Sequence, residues 1–314
     1  MLSLMRFIYF VASCFALLAL AELALRVSGL GRPILFERTR YGYRIQPSQR
    51  FRFWKLRAFY NEFGLRTGPI FPIPEVGKVR ILCVGDSITN GGVTTAQHET
   101  YPYRLASILA DSIPSVEVLN ISAGGWALEN EEGWIAAHGI LGSHLVILQV
   151  ATHDMHQRKA SAAVLDVNPG FPSRYPVLAC AYVMRRYILP RLGLRPNVLD
   201  PGVAAEIHTE ADIERSIHVL DRFLSHVMGT GARLMIVHVA QPSTYEPVTE
   251  LTTFAKARLR AWTQANGVRL VSMEPVMKEG GDSALFRDVM HPNEKGYLLI
   301  AQTLAPHVID ELRE

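Results

Sequence analysis

Three short stretches of the chain hold residue types that could carry out acyl chemistry. Residues 85–87 read Gly-Asp-Ser at the end of an apolar run, and residues 288–291 read Asp-Val-Met-His. A serine hydroxyl is a weak nucleophile until a base takes its proton, and the base needs a partner that fixes its tautomer. Ser87, His291 and Asp288 can supply nucleophile, base and orienting carboxylate. Asp288 precedes His291 by three residues, so one tight loop can return its carboxylate to the second imidazole nitrogen. Pro292 then sets the turn and opens a helix. The third stretch runs from Asn120 to Gly125 and ends in two glycines. A tetrahedral intermediate needs donors aimed at its oxyanion. The Ser87 N–H, the Gly125 N–H and the side chain of His153 are the candidates. Taken singly, each has an ordinary reading: Gly-Asp-Ser as a turn, Gly125 as a turn glycine, Asp288 and His291 as a surface loop. Their conjunction carries the weight.

These residues need a scaffold that brings them to one edge. Apolar, β-branched runs occur at 79–85, 116–122, 144–151, 232–240 and 268–276, separated by helix-like segments near 99–111, 127–140, 209–229, 247–265 and 293–312. Continuous apolar strands are buried on both faces, and their alternation with helices predicts a three-layer α/β/α sandwich around a parallel sheet. In such sheets ligands gather beyond the carboxyl ends of the strands. Gly85-Asp86-Ser87, Asn120–Gly125, Ala151–Asp154 and Asp288–His291 all follow predicted strands. Residues 155–208 break the rhythm and read as an insertion or lid, whose apolar stretch 176–193 could line an acyl pocket.

The same blocks resemble the SGNH, or GDSL-like, hydrolase superfamily over about residues 79–314. Gly85-Asp86-Ser87 matches its first block, Asn120–Gly125 its second, and Asp288/His291 with the His-Pro-Asn continuation its last. The resemblance implies a flavodoxin-like fold and a serine esterase or acyltransferase that needs no cofactor. One block departs: where the family has Gly-x-Asn-Asp, this chain has Ala151-Thr152-His153-Asp154. An imidazole N–H can replace the amide donor, with altered geometry. The Gly-x-Ser-x-Gly elbow of another hydrolase fold is absent around Ser87. His153 and His156 alone lack the further ligands a metal site requires, so none is expected.

The ends and the composition bound the setting. Arg6 precedes an apolar stretch, interrupted at Glu22, that runs to about Val27. Ala19-Leu20-Ala21 fits a signal-peptide cleavage pattern. An uncleaved signal anchor over residues 1–28 is favoured, because apolar character continues past Glu22. Arg26, Arg32, Arg38 and Arg40 follow it, yet a short positive start before an N-terminal apolar helix points to an extracytoplasmic domain. Residues 29–78 form a connecting arm in which Phe51, Phe53 and Trp54 alternate with Arg50, Arg52 and Lys55, as in an edge hairpin. The net charge of +3 is too small to imply a nucleic-acid partner. Cys14, Cys83 and Cys180 form neither a disulfide framework nor a zinc pattern. The leading expectation is a membrane-anchored esterase on O-acyl groups of carbohydrate or cell-surface polysaccharide, by hydrolysis or transfer. The alternatives are a lysophospholipase or thioesterase, and a degenerate polysaccharide-binding scaffold.

Overall fold

The structure, a computed structural model, describes residues 2–54, 56–194, 208–242 and 248–313. Lys55 of the arm and residues 195–207 of the insertion lie outside the described residues. The chain opens with helix α1 (Leu2–Ser28), which is apolar all round and exposed. Its segment Leu4–Ser28 has a mean hydropathy of 2.2 and none of it is buried. A stretch of 25 residues rises about 38 Å, so α1 has the length and composition of a membrane span or a signal sequence.

Two antiparallel hairpins follow. Strand β1 (Phe36–Thr39) pairs with β2 (Gly42–Ile45), and β3 (Gln49–Phe53) with β4 (Leu56–Tyr60). Their alternation is that of one-sided strands: Arg50 and Arg52 are exposed while Gln49 and Phe51 are buried. Tyr41, Tyr43, Ile45, Phe51, Ala58 and Tyr60 belong to the same hydrophobic core as the sheet described next. The arm is therefore packed into the core along most of its length.

The central sheet begins with β5 (Val79–Gly85), then the short helix α2 (Ser87–Asn90) and α3 (Tyr101–Leu109). It continues through β6 (Val116–Ser122), α4 (Leu128–His138) and β7 (Leu145–Val150). The insertion contains α5 (Ala179–Val183) and α6 (Leu189–Arg191), joined by one π-turn. The wound domain then resumes with α7 (Glu210–Met228), β8 (Arg233–His238), α8 (Glu250–Ala265), β9 (Arg269–Ser272), α9 (Glu274–Glu279) and α10 (Glu294–Arg313). All five strands are parallel in the order β6-β5-β7-β8-β9. Alternate residues feed opposite layers: Leu82, Val84, Val146 and Leu148 face the arm, α4 and α7, whereas Ile81, Cys83, Leu145 and Ile147 face α3 and α10. The last strand is shorter than its apolar run. Pro275 has no N–H to give a ladder but suits a first helical turn, so 274–279 coils as α9.

Candidate active site

Ser87 owes its position to the sharp end of β5. A Cβ at Gly85 would lie 2.2 Å from Thr89 Oγ1 and 2.7 Å from Gln149 Oε1, so only glycine fits before Asp86. Asp86 then caps α2, its carboxylate accepting the Ile88 N–H at 2.8 Å. Ser87 is consequently the first residue of a helix, where its N–H has no intrahelical acceptor. A buried polar lattice holds α2 down: Asn120 Nδ2 donates to Thr89 O at 2.8 Å, and Asn90 Nδ2 donates to Ser122 O at 3.1 Å. Arg66, from the arm, donates to the carbonyls of Asn90, Gly92 and Thr95. Asn120 thus braces the α2 turn from beneath.

The loop before α10 brings the imidazole to the serine. Ser87 Oγ lies 2.9 Å from His291 Nε2, and His291 Nδ1 lies 2.9 Å from both Asp288 oxygens. Burial alone would raise the Asp288 carboxyl. The backbone N–H groups of His291 and Met290 and the imidazole outweigh it, and the net direction is down. The Arg287 guanidinium spans from this loop to Thr95 Oγ1 and the Gly91 carbonyl, tying the base loop to the nucleophile loop.

Gly125 sits one strand over, in a turn with φ +75°. Two outside groups pin that turn by its carbonyls. Tyr43 of β2 donates its hydroxyl to Gly124 O at 2.7 Å, and Gln157 Nε2 donates to Gly125 O at 3.3 Å. The Trp126 indole N–H in turn donates to Tyr43 O at 2.8 Å. Neither Tyr43 nor Gln157 was signalled by sequence. A tyrosine 82 residues upstream of the glycine it serves carries no local pattern.

A family model described as GDSL-like lipase/acylhydrolase matches residues 83–299, which contain all of these groups except Tyr43 and Arg66. The chain belongs to that family. Among curated proteins none matches it. Several solved structures are similar to this chain at low identity. A member of the lipolytic G-D-S-L family from Veillonella parvula is 16% identical, with a TM-score of 0.45 over 73% of this chain and 97% of its own. A catalytic mutant of an acetylxylan esterase from Geobacillus stearothermophilus is 12% identical, with a TM-score of 0.48 over 75% and 96%. A GDSL-like lipase from Bacteroides thetaiotaomicron is 12% identical, with a TM-score of 0.44 over 76% and 91%.

In this GDSL-family chain the third strand end differs from the family's Gly-x-Asn-Asp. His153 lies on the turn after β7, beside Ser87, Gly124 and Gly125 in one cavity wall. Its Nε2 is 3.3 Å from Asp154 Oδ1. Asp154 is fully buried, and burial pushes its carboxyl up to about 7. Asp86 is raised as well, by burial and by the Asp154 charge. Asp86, His153 and Asp154 each place a potential metal-ligand atom within 4.8 Å of the others. The Ile88 N–H bonds one Asp86 oxygen and the Ala151 N–H bonds Asp154 Oδ2, while Asp154 Oδ1 accepts no hydrogen bond. Two like charges this close are relieved when one takes a proton, as the raised values require.

Two cavities meet at Ser87 and His291. One, of about 500 Å³, has His153, Gln157, Asn168 and Gln241 among its borders beside Val164, Phe171 and Met290. The other, of about 510 Å³, has Leu30, Ile34, Phe36 and Phe51 among its borders beside Asn90, Thr94 and Arg287, so both linings are mixed. Phe171 and Arg186 border both cavities. Of the apolar stretch 176–193, Tyr182, Arg186 and Tyr187 face the second cavity.

Proposed function

We propose that this chain is a serine esterase working through an acyl-enzyme. Ser87 Oγ attacks the acyl carbon while His291 Nε2 takes its proton. Asp288 holds the imidazole and stabilises the cation that forms. The oxyanion is held by the N–H groups of Ser87 and Gly125, with the His153 ring as third donor. Collapse expels the alkoxide, which recovers the proton from His291 and leaves as the alcohol. Water then resolves the acyl-enzyme to a carboxylic acid; a sugar hydroxyl in its place gives transfer. The single observation that carries this reading is the unbroken 2.9 Å relay from Ser87 through His291 to Asp288.

The His153, Gln157, Asn168 and Gln241 side chains of the first cavity suit a hydroxyl-rich alcohol portion, in line with an O-acylated carbohydrate. A second reading, a lipid acyl ester, is favoured by Leu30, Ile34, Phe36 and Phe51 of the second cavity. The α1 helix is proposed as the anchor, with the domain on the extracytoplasmic side. The test is turnover of p-nitrophenyl acetate by the full chain and by Ser87→Ala, together with labelling by a fluorophosphonate probe. The variant is expected to lose at least 10³-fold in kcat and all labelling. Equal turnover by both proteins would remove Ser87 from the chemistry.

A further inference from the structure

Gly29 and Leu30, the residues that follow α1, border the second cavity beside Ile34, Phe36 and Phe51, and the surface near the end of α1 has an unusual composition. On one side, Val177 and Leu178 are 89% and 58% exposed, and Leu192 and Leu194 are 65% and 61% exposed. Residues 174–194 contain four arginines (Arg174, Arg185, Arg186 and Arg191) and no acidic residue. On the other side, Trp54 at the tip of the β3–β4 hairpin is 71% exposed, beside Arg52 and Val27.

Neither feature is loosely attached. Glu22 of α1 accepts the N–H groups of Ala179 and Cys180 at 2.8 and 2.9 Å, and Arg26 donates to Val177 O at 2.7 Å. The Trp54 N–H donates to Ser28 O at 3.1 Å. Glu22 precedes the end of α1 by six residues, or about 9 Å of rise. Val177 and Leu178 are thus fixed about one and a half turns before the end of an apolar helix, and Trp54 at its end. Amphipathic elements with arginines and large apolar groups settle about 5–10 Å into the headgroup boundary, and tryptophan concentrates at the same level.

We infer that residues 174–194 and Trp54 form a collar that seats on an anionic lipid surface beside α1. The collar sets the arm side of the second cavity against the bilayer, so that Leu30, Ile34, Phe36 and Phe51 receive the hydrocarbon portion of a membrane-resident ester. The ligand chemistry is a lipid surface: the arginines of 174–194 attract anionic headgroups, and the leucines and Trp54 enter the acyl boundary. This inference rests on the proposed nucleophile and on α1 as a membrane helix.

The test uses the full chain in vesicles of phosphatidylcholine, with or without phosphatidylglycerol. In a background lacking Cys14 and Cys180, an environment-sensitive fluorophore is placed at Leu192→Cys and, as control, at Met228→Cys. Met228 is 60% exposed at the opposite end of the sheet. Shallow nitroxide lipids are expected to quench the label at position 192 by at least half and to leave position 228 unchanged. Equal quenching at the two positions, or none at 192, overturns the collar.

Activity supplies the second arm. In Leu178→Asp/Leu192→Asp, hydrolysis of a long-chain ester embedded in the vesicles should fall at least tenfold, while soluble p-nitrophenyl acetate turnover stays within twofold. Arg185→Glu/Arg191→Glu should show the same split only with phosphatidylglycerol. Unchanged turnover of the embedded ester, or equal loss on both substrates, overturns the link to catalysis. The quenching readout needs no turnover. Loss of Ser87 labelling in the parent chain would therefore count against the esterase reading without touching the collar.

Discussion

Replacing Gly125 by alanine should disable the reaction far more than it disturbs the fold, and the structure says why. Gly125 has φ +75°, a region that costs a residue with a Cβ about 1–2 kcal/mol. The new methyl would also lie 2.9 Å from Tyr43 Oη. That oxygen sits at the end of a rigid ring, bonded to Gly124 O and packed at 5.8 and 5.2 Å, centroid to centroid, from Phe36 and Phe171. The turn therefore has to move, carrying the Gly125 N–H off its aim. Loss of one oxyanion donor costs about 10²–10³ in kcat. Tyr43→Phe leaves Gly124 O without its partner, at about 1–3 kcal/mol, but opens room for the methyl. The double variant Gly125→Ala/Tyr43→Phe should consequently be less impaired than the product of the two single effects, with a coupling of about 1 kcal/mol. The assay is kcat and KM on p-nitrophenyl acetate for the four proteins, with melting temperatures in parallel. A kcat for Gly125→Ala within threefold of the parent, or strict additivity in the cycle, would refute this account of the turn.

Other outcomes follow from the same geometry. Asp288→Asn should lower kcat by about 10⁴ with KM little changed, because the imidazole loses both its tautomer and the partner of its cation; a pH–rate profile and kcat/KM on soluble ester read this. Asp154→Asn should flatten the pH dependence of stability. With the folded carboxyl raised to about 7, the native state holds a proton that the unfolded chain has released, so the parent loses stability as pH rises from about 4 to 7, at up to about 1.4 kcal/mol per unit. The melting temperature of the asparagine variant relative to the parent should therefore improve from pH 5 to pH 8; a constant difference would count against a protonated Asp154. Gly85→Ala forces a Cβ into Thr89 and Gln149, and should lower stability by about 1–3 kcal/mol in urea denaturation.

What could be read from residue order was whatever repeats locally. The strands at 79–85 and 116–122 stand where their β-branched runs place them, and β7 and β8 come within two residues of theirs. Burial on both faces leaves an unmistakable apolar signature. The last strand was overextended, because Val271-Ser-Met-Glu-Pro-Val is apolar enough for a strand while Pro275 turns it into a helix. Ser87 was legible beside a turn signal at a strand end, and Asp288 and His291 beside Pro292 in the loop before α10. Tyr43, Arg66 and Gln157 were not. Their service to the site is through hydrogen bonds to backbone carbonyls 24 to 81 residues away, and such pairs leave no period or motif. The exposed collar was also hidden, since the stretch 176–193 reads as acyl-pocket lining and Trp54 as part of an edge hairpin, whereas Val177, Leu178, Leu192 and Trp54 are exposed.

The Tyr43 hydroxyl has a consequence for how this site can change over generations. Position 125 is restricted to glycine twice over, by its backbone angle and by a tyrosine outside the stretch that matches the family model. Relatives that shorten or replace the arm lift the second restriction and keep the first. Asparagine, which tolerates positive φ, then becomes admissible at position 125, and the arm and the turn should be inherited as a covarying pair.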